Sequence, residues 1–144
     1  MFYSKRLSKF KNLKHCFFSR KNGFSKGAYE SLNCGLGSKD KKINVLKNLK
    51  LVTQKIGCKQ KSLITLNQSH SNKVIYLDDE NFSKNKFDGD AIITKSKNTA
   101  LGVLTADCGS ILFYDPKNKI IGSVHSGWKG AISGIIKNTV KKFE

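Results

Sequence analysis

Two histidines and one cysteine occupy polar segments at the ends of predicted strands. His70 lies in the wholly polar connector of residues 67–72, and Cys108 and His125 flank a predicted hairpin. Imidazole and thiolate are ligands that Zn²⁺ takes, and three protein ligands with one open position are typical of a catalytic zinc site. Zinc held there would lower the pKa of a bound water to about 7. Copper accepts the same nitrogen and sulfur ligands and is the alternative metal.

The same residues could instead form a thiol–imidazole pair. In that interpretation Cys108 is the nucleophile of a cysteine hydrolase, His125 is its base, and Asp107 or another acid orients the base. Nearby glycines would offer backbone donors to an oxyanion. A metal enzyme would lose activity to a chelator, whereas a thiol hydrolase would be stopped by alkylation. Residue types and spacing leave both chemistries open.

A predicted β-hairpin brings Cys108 and His125 together. Its two apolar strands flank residues 115–118, where Pro116 suits the second position of a type I turn. A two-residue loop would place Cys108 directly opposite His125, with Cβ atoms roughly 5 Å apart. A three-residue loop, with Asn118 left-handed, would offset the pair by one residue. In either register we expect them at neighbouring positions at the open end of the hairpin.

Hydrophobic periodicity predicts the remaining elements. A helix is predicted over residues 40–56, capped by Ser38 or Asp40 and ended by Gly57. The apolar stripe of this helix consists of Ile43, Leu46, Leu49, Val52 and Ile56. Strands are predicted over residues 14–18, 63–66, 73–77, 91–94 and 99–105. Residues 1–12 are expected to be frayed, and a polar loop begins at Asp78.

A second helix is predicted over residues 131–143. Its predicted apolar side consists of Ile132, Ile135, Ile136 and Val140. The pattern reaches the last residue without a C-cap, which indicates a sequence that stops early.

Composition predicts a single domain over residues 1–144 in the cytoplasm, because the N-terminus lacks the apolar core of a signal peptide. Nothing in the sequence is apolar enough over a membrane-spanning length. The four cysteines form no CxxC pair and are expected to be reduced. The net charge of +17 comes from 27 basic residues, of which only Arg6 and Arg20 are arginine. Because the lysines are scattered, compositional bias is favoured over a nucleic-acid partner; a lysine-rich RNA-binding module is the alternative.

Four motifs resemble, in order and at similar spacing, those of the laccase-domain family. They read Asn-Gln-Ser-His-Ser at 67–71, Asp-Gly-Asp-Ala at 88–91, Leu-Gly-Val-Leu-Thr-Ala-Asp-Cys at 101–108 and His-Ser-Gly-Trp-Lys-Gly-Ala at 125–131. The resemblance extends back through Ser-Leu-Asn-Cys-Gly at 31–35 to Arg20. This family was first labelled multicopper polyphenol oxidoreductase. It is regarded as a group of zinc-dependent purine nucleoside phosphorylases that also deaminate adenosine.

The resemblance implies an α/β fold, an α/β/β/α sandwich with mixed sheets, of which this chain would be the N-terminal part. It implies that His70, Cys108 and His125 are the zinc ligands. The implied substrates are adenosine, inosine, guanosine and methylthioadenosine, with phosphate as the second reactant.

The resemblance also assigns roles to residues around the metal. It implies that Arg20 and Asn33 lie near the substrate, and Gln68 is a third predicted substrate contact. The predicted catalytic residues are Asp107, the nearest carboxylate in sequence, and Arg20, an expected anion contact. Gln68 and Asp107 would in addition support the ligands. One departure concerns phosphate: the family usually has an Asn-Arg pair in its first long helix, whereas here Asn48 is followed by leucine.

Overall fold

The structure is a computed structural model that describes residues 1–59, 62–78 and 87–144. The chain folds as two compact units, Met1–Lys61 and Ser62–Glu144. The single domain predicted over residues 1–144 stays a prediction. Most of the polar loop predicted from Asp78 lies outside the described residues. In the part of the chain that is described, no helix has the length and apolarity needed to cross a membrane.

The first unit is built around helix α1, Lys42–Ile56. Gly57 ends it in the left-handed conformation, at φ 74°, as predicted. The predicted cap is wrong in its position, because the N-cap residue is Lys41, whose own side chain forms no cap bond. Asp40 lies one residue before it, and its Oδ1 accepts the backbone N–H of Lys41 at 2.7 Å. The predicted apolar stripe is only partly correct: Leu49 is buried, but Ile43 is 58% exposed. The helix instead buries a mixed face whose members are Val45, Asn48, Leu49 and Thr53.

The predictions for the N-terminal residues are wrong. Residues 1–12 are not frayed, since they contain a 3-10 helix, Leu7–Lys9, and Phe2 pairs with Phe17 through two backbone hydrogen bonds of 2.8 and 2.9 Å. The predicted strand over residues 14–18 is reduced to this isolated antiparallel bridge. Ser4 would continue the ladder, but its N–H donates to His15 Nε2 at 2.8 Å. A side chain therefore replaces the backbone acceptor that a second rung requires.

The second unit contains two sheets. The larger has the order β2–β3–β6–β5, and the smaller pairs β1 with β4. The strand bounds are β1 Leu63–Thr65, β2 Val74–Leu77, β3 Ala91–Thr94, β4 Ala100–Gly102, β5 Gly109–Asp115 and β6 Ile120–Ser126. The pairs β1–β4 and β2–β3 are parallel, whereas β6 is antiparallel to β3 and β5. The predicted strands of this unit are therefore present, and β4 is shorter than predicted.

Strand β3 shows how the layers are arranged, since its successive side chains point to opposite faces. Ala91 packs with Ile135 of the C-terminal helical segment. Ile92 points to the other face and belongs to a separate hydrophobic cluster, against which Ile64 and Leu101 of the smaller sheet pack. The larger sheet thus carries a helix on one face and the smaller sheet on the other. This arrangement confirms the predicted fold class, an α/β sandwich with mixed sheets.

The C-terminal segment forms two helices where one was predicted. They are α2, Trp128–Ile132, and α3, Ile135–Lys141. Gly134 separates them with a left-handed φ of 86°. This break changes which side chains face the core: Ile135 is fully buried, whereas Ile132 is 82% exposed. Helix α3 ends before the last residue, with Lys142 as its C-cap.

Candidate metal centre

The hairpin β5–β6 places His125 and Cys108 near each other, in a register that differs from both predicted ones. Ser110, not Cys108, lies opposite His125, and the loop between Asp115 and Ile120 contains four residues. Cys108 immediately precedes β5 and is therefore offset by two residues from direct opposition. Because side chains alternate with a period of two, this offset keeps Cys108 on the same face as Ser110.

Asp115 explains the longer loop. Its Oδ1 accepts hydrogen bonds from the backbone N–H groups of Lys117, at 2.8 Å, and Asn118, at 3.2 Å. These bonds wrap the chain around the carboxylate, and the left-handed residue is Lys119, at φ 56°, not Asn118. Four-residue hairpin loops of this kind are commonly built around a type I turn.

The three predicted metal ligands converge in the second unit. One ligand atom from each of His70, Cys108 and His125 lies within 4.8 Å of the others. Cys108 Sγ is 3.5 Å from His70 Nε2, and the imidazole centroids are 4.9 Å apart at 76°. Zinc bond lengths of about 2.0–2.3 Å in a tetrahedron separate neighbouring ligand atoms by roughly 3.3–3.6 Å. The donor types and the separation of Cys108 Sγ from His70 Nε2 therefore fit Zn²⁺, and the same donors suit copper.

Asp90 is a central residue of the site; it lies in the Asp-Gly-Asp-Ala motif at 88–91, but the sequence analysis gave it no role. Its side chain is fully buried, and its Oδ1 lies 2.8 Å from His125 Nδ1. The same carboxylate accepts the backbone N–H groups of Ser69, His70 and Ser71 at 3.2, 3.0 and 2.7 Å, and the Ser71 hydroxyl at 2.6 Å. One carboxylate thus fixes both the turn that carries His70 and the ring of His125.

The hydrogen bonds to Asp90 determine its charge. Burial opposes ionisation, but the bonds from Ser71, His125 and the backbone outweigh it and lower the pKa of Asp90 to about 2. The carboxylate is therefore ionised at neutral pH and accepts a hydrogen bond from the Nδ1–H of His125. In the neutral imidazole this assignment leaves Nε2 as the acceptor, which is the atom a metal would use.

Two glycines allow the His70 turn to approach the start of α2. A Cβ at Gly127 would collide with the imidazole of His70. A Cβ at Gly130 would lie 2.7 Å from the carbonyl oxygen of Ser71. The glycines of the Gly-Trp-Lys-Gly segment are therefore needed for close packing against the predicted ligand.

Gln68 fixes the segment that leads to Cys108. Its Nε2 donates to Leu104 O and its Oε1 accepts from Leu104 N, both at 2.7 Å. This pair of bonds imitates a rung of a β-ladder and ties residue 68 to the end of β4. Both predicted roles of Gln68, support of the ligands and contact with the substrate, stay predictions.

Acidic neighbours surround the Cys108 thiol. Partial burial, Asp107 and Asp90 all raise its pKa, and Asp107 Oδ1 lies 3.8 Å from Sγ. A thiolate at this position needs a compensating cation. The site therefore suits a metal-bound thiolate better than a free nucleophilic one. Asp107 is exposed, and its predicted catalytic role stays a prediction.

Arg20 and Asn33 belong to the unit Met1–Lys61. Arg20 Nε donates to Glu30 O at 2.8 Å, which orients the guanidinium. Asn33 Nδ2 donates to Ser38 Oγ at 2.9 Å and to Asp40 Oδ2 at 3.1 Å, so its amide hydrogens hold its own loop. Their predicted substrate contacts stay predictions.

Comparisons with known proteins agree with these motifs. A family model described as multi-copper polyphenol oxidoreductase laccase matches residues 14–144. A purine nucleoside phosphorylase of Haemophilus influenzae is 34% identical over 134 residues, which cover 93% of this chain and 53% of that protein. The Bacillus subtilis purine nucleoside phosphorylase YlmD is 31% identical over 134 residues, which cover 88% of this chain and 48% of that protein.

Solved structures give the same result. A Neisseria meningitidis protein superposes with a TM-score of 0.74 at 34% identity, covering 85% of this chain and 49% of that one. Bacillus licheniformis YfiH superposes with a TM-score of 0.77 at 28% identity, covering 85% of this chain and 48% of that one. The chain spans about half the length of the curated relatives it matches. It belongs to the multi-copper polyphenol oxidoreductase laccase family.

Proposed function

We propose that His70, Cys108 and His125 bind Zn²⁺ and that this centre serves a cytoplasmic purine nucleoside phosphorylase. The observation that carries the proposal is the convergence of two imidazoles and one thiol within 4.8 Å. Relatives that are named purine nucleoside phosphorylases supply the reaction class. The substrates are adenosine, inosine, guanosine and methylthioadenosine, which phosphate cleaves at the glycosidic bond. Deamination of adenosine to inosine is the second activity.

The chain's own residues prepare this site. The Asp90 carboxylate orients the ring of His125 through Nδ1. It also holds the turn that carries His70 by accepting hydrogen bonds from the backbone N–H groups of that turn. Gln68 holds the strand end that precedes Cys108. Zinc bound there would supply Lewis-acid polarisation at neutral pH.

The proposed substrate residues divide by charge. Arg20 offers a cationic fork to phosphate, and the loop over residues 23–27 is the proposed second anion contact. Within that loop the N–H groups of Gly23, Phe24 and Ser25 already have acceptors, so the guanidinium is the main proposed contact. Asn33 and Gln68 are proposed polar contacts of the nucleoside. Asp107, exposed beside Cys108, is the proposed general acid–base group.

Product analysis tests the proposal. The purified chain is incubated with adenosine and phosphate, and adenine is separated from inosine. Adenine that forms only with phosphate reports phosphorolysis, and inosine reports deamination. We expect Cys108→Ala to abolish zinc uptake and both products together. Adenosine cleavage that persists without bound zinc would contradict the proposal.

A cysteine hydrolase is the second candidate, because Cys108 Sγ is 3.5 Å from His70 Nε2, within reach of proton transfer. His125, the base expected from the sequence, is instead bonded to Asp90 through Nδ1. Alkylation and chelation separate the two functions. Activity that survives a chelator but not iodoacetamide would identify the hydrolase. Activity that a chelator removes and zinc restores would identify the metal enzyme.

A further inference from the structure

A basic cavity occurs within the unit Met1–Lys61. Its volume is about 310 Å³, at the lower end of the range of roughly 300–1,000 Å³ found for small-molecule sites. The side chains that matter for its chemistry are Tyr3, Phe10, Lys11, Lys14, His15 and Lys55. No Asp or Glu is among the lining residues. The metal ligands belong to the other unit, so the cavity is a different site.

The charge of this unit strengthens the anionic preference of the cavity. Residues 1–61 contain sixteen lysines and arginines but only two acidic residues, Glu30 and Asp40, which gives +14 of the chain's +17. Asp40 is occupied elsewhere, since its carboxylate accepts from Ser25 Oγ at 2.6 Å and from Asn33 Nδ2 at 3.1 Å. Among the described residues no carboxylate forms a salt bridge with the three cavity lysines.

His15 adds an imidazole to the lining of the cavity. Its Nε2 accepts the backbone N–H of Ser4 at 2.8 Å. A neutral imidazole that accepts at Nε2 carries its hydrogen at Nδ1, and that N–H is a donor. The rings of Tyr3 and His15 are perpendicular, with centroids 5.8 Å apart, and Tyr3 is 57% exposed. The cavity thus combines lysine cations, an imidazole and an exposed aromatic ring.

Two of the lysines also lie at the C-terminal end of α1. Lys55 is in its last turn, and Lys14 Nζ would be 2.7 Å from a Cβ placed on Gly57. Cations at a helix C-terminus complement the helix dipole. Stabilisation of the helix is therefore the competing explanation for these two side chains, but it does not account for Lys11 or for His15.

We propose that this cavity binds a phosphate monoester carried on a planar ring, of the size of a nucleoside monophosphate. The lysines act as point charges for the phosphate, and Tyr3 provides a stacking surface for the ring. The proposal does not depend on the function proposed for the metal centre.

Calorimetric titration with adenosine monophosphate tests it. We expect saturable binding that weakens with salt and that depends on the cavity lysines. Adenosine and inorganic phosphate each lack half of the recognised features, and any binding of these two at the metal centre should not change when the cavity lysines are replaced. Replacing Lys11, Lys14 and Lys55 by Gln should lower the affinity at least about tenfold. The matched control replaces Lys39, Lys42 and Lys50 by Gln. These replacements remove the same charge from the same unit, but none of the three lysines lines the cavity. The control should bind as the wild type does.

Two further variants keep the outcome decisive. Lys11→Gln alone should also weaken binding. This single variant replaces the triple variant in the test if the triple variant fails to fold. Cys108→Ser should leave this binding unchanged, because it removes only a predicted metal ligand. Equal loss in both lysine triples, loss in Cys108→Ser, or binding of single-stranded RNA without saturable binding of the monophosphate would each overturn the proposal.

Discussion

His125 Nδ1 lies 2.8 Å from Asp90 Oδ1, and both side chains are almost completely buried. The same carboxylate holds the backbone of the turn that carries His70. Two predicted ligands that are far apart in sequence therefore depend on one acidic side chain. Carboxylate partners of this kind fix the orientation of metal-binding histidines and raise their basicity.

Replacement of Asp90 by Asn should weaken metal binding. The amide keeps one oxygen but cannot accept from Ser69, Ser71 and His125 as two anionic oxygens do. Loss of such partners usually costs about 10- to 100-fold in metal affinity. Competition with a chromogenic zinc chelator measures the change.

Asp88→Asn is the matched control for this prediction. Asp88 is two residues away, and among the described side chains its Oδ1 accepts a single exposed bond, from Asn67 Nδ2 at 3.0 Å. We expect zinc affinity close to that of the wild type. Equal affinities in all three proteins would show that Asp90 does not position the ligands.

Gly127→Ala should also impair metal binding, for a steric reason. The added methyl group would collide with the His70 imidazole and displace it. Gly109→Ala is the control, because a Cβ there meets Ser126 O at an ordinary 3.5 Å. Zinc titration of both variants should show a loss of affinity only for Gly127→Ala. An unchanged affinity in that variant would contradict the observed packing.

Asn48→Ala should destabilise the unit Met1–Lys61. Asn48 is fully buried, accepts the N–H of Phe24 at 2.7 Å, and donates to Asn33 O at 2.7 Å and Ser25 Oγ at 2.9 Å. Truncation leaves several buried groups without partners, at a cost of about 2–4 kcal/mol. Urea unfolding measures the difference, and exposed Gln54→Ala on the same helix should change stability by less than about 0.5 kcal/mol. Similar values for both variants would rule out this role for Asn48.

Asp40 should make stability depend on acid pH. The hydrogen bond from Ser25, aided by Asn33 and the backbone of Lys41, lowers its pKa below the ordinary value of about 3.9. A lowered pKa in the folded state contributes stability above the ordinary pKa, and this contribution disappears as pH falls through the folded value. The stability difference between the wild type and Asp40→Asn should therefore shrink on acidification below about pH 4. A difference that stays constant from pH 6 to pH 3 would exclude this linkage.

The elements that the sequence predicted well are those with strong local patterns. Apolar runs located the strands of the second unit, and Gly57 located the end of α1. The hairpin register was missed because the loop length depends on hydrogen bonds to the Asp115 carboxylate. Proline at position 116 is compatible with several loop lengths.

The missed residues are buried polar ones. Asp90 and Asn48 are both fully buried, and each ties together segments that are distant in sequence. Such roles depend on tertiary contacts, so periodicity cannot reveal them. One signal was present: Asp90 immediately precedes the wholly apolar start of β3, where an unpartnered carboxylate would be costly to bury.

Metal analysis of the purified chain, combined with the absorption spectrum of its cobalt-substituted form, tests the central claim most directly. We expect about one equivalent of tightly bound zinc and a sulfur-to-cobalt charge-transfer band, both absent from Cys108→Ser. A folded chain that takes up no zinc, or one whose metal binding is unchanged in Cys108→Ser, would contradict a metal centre formed by His70, Cys108 and His125.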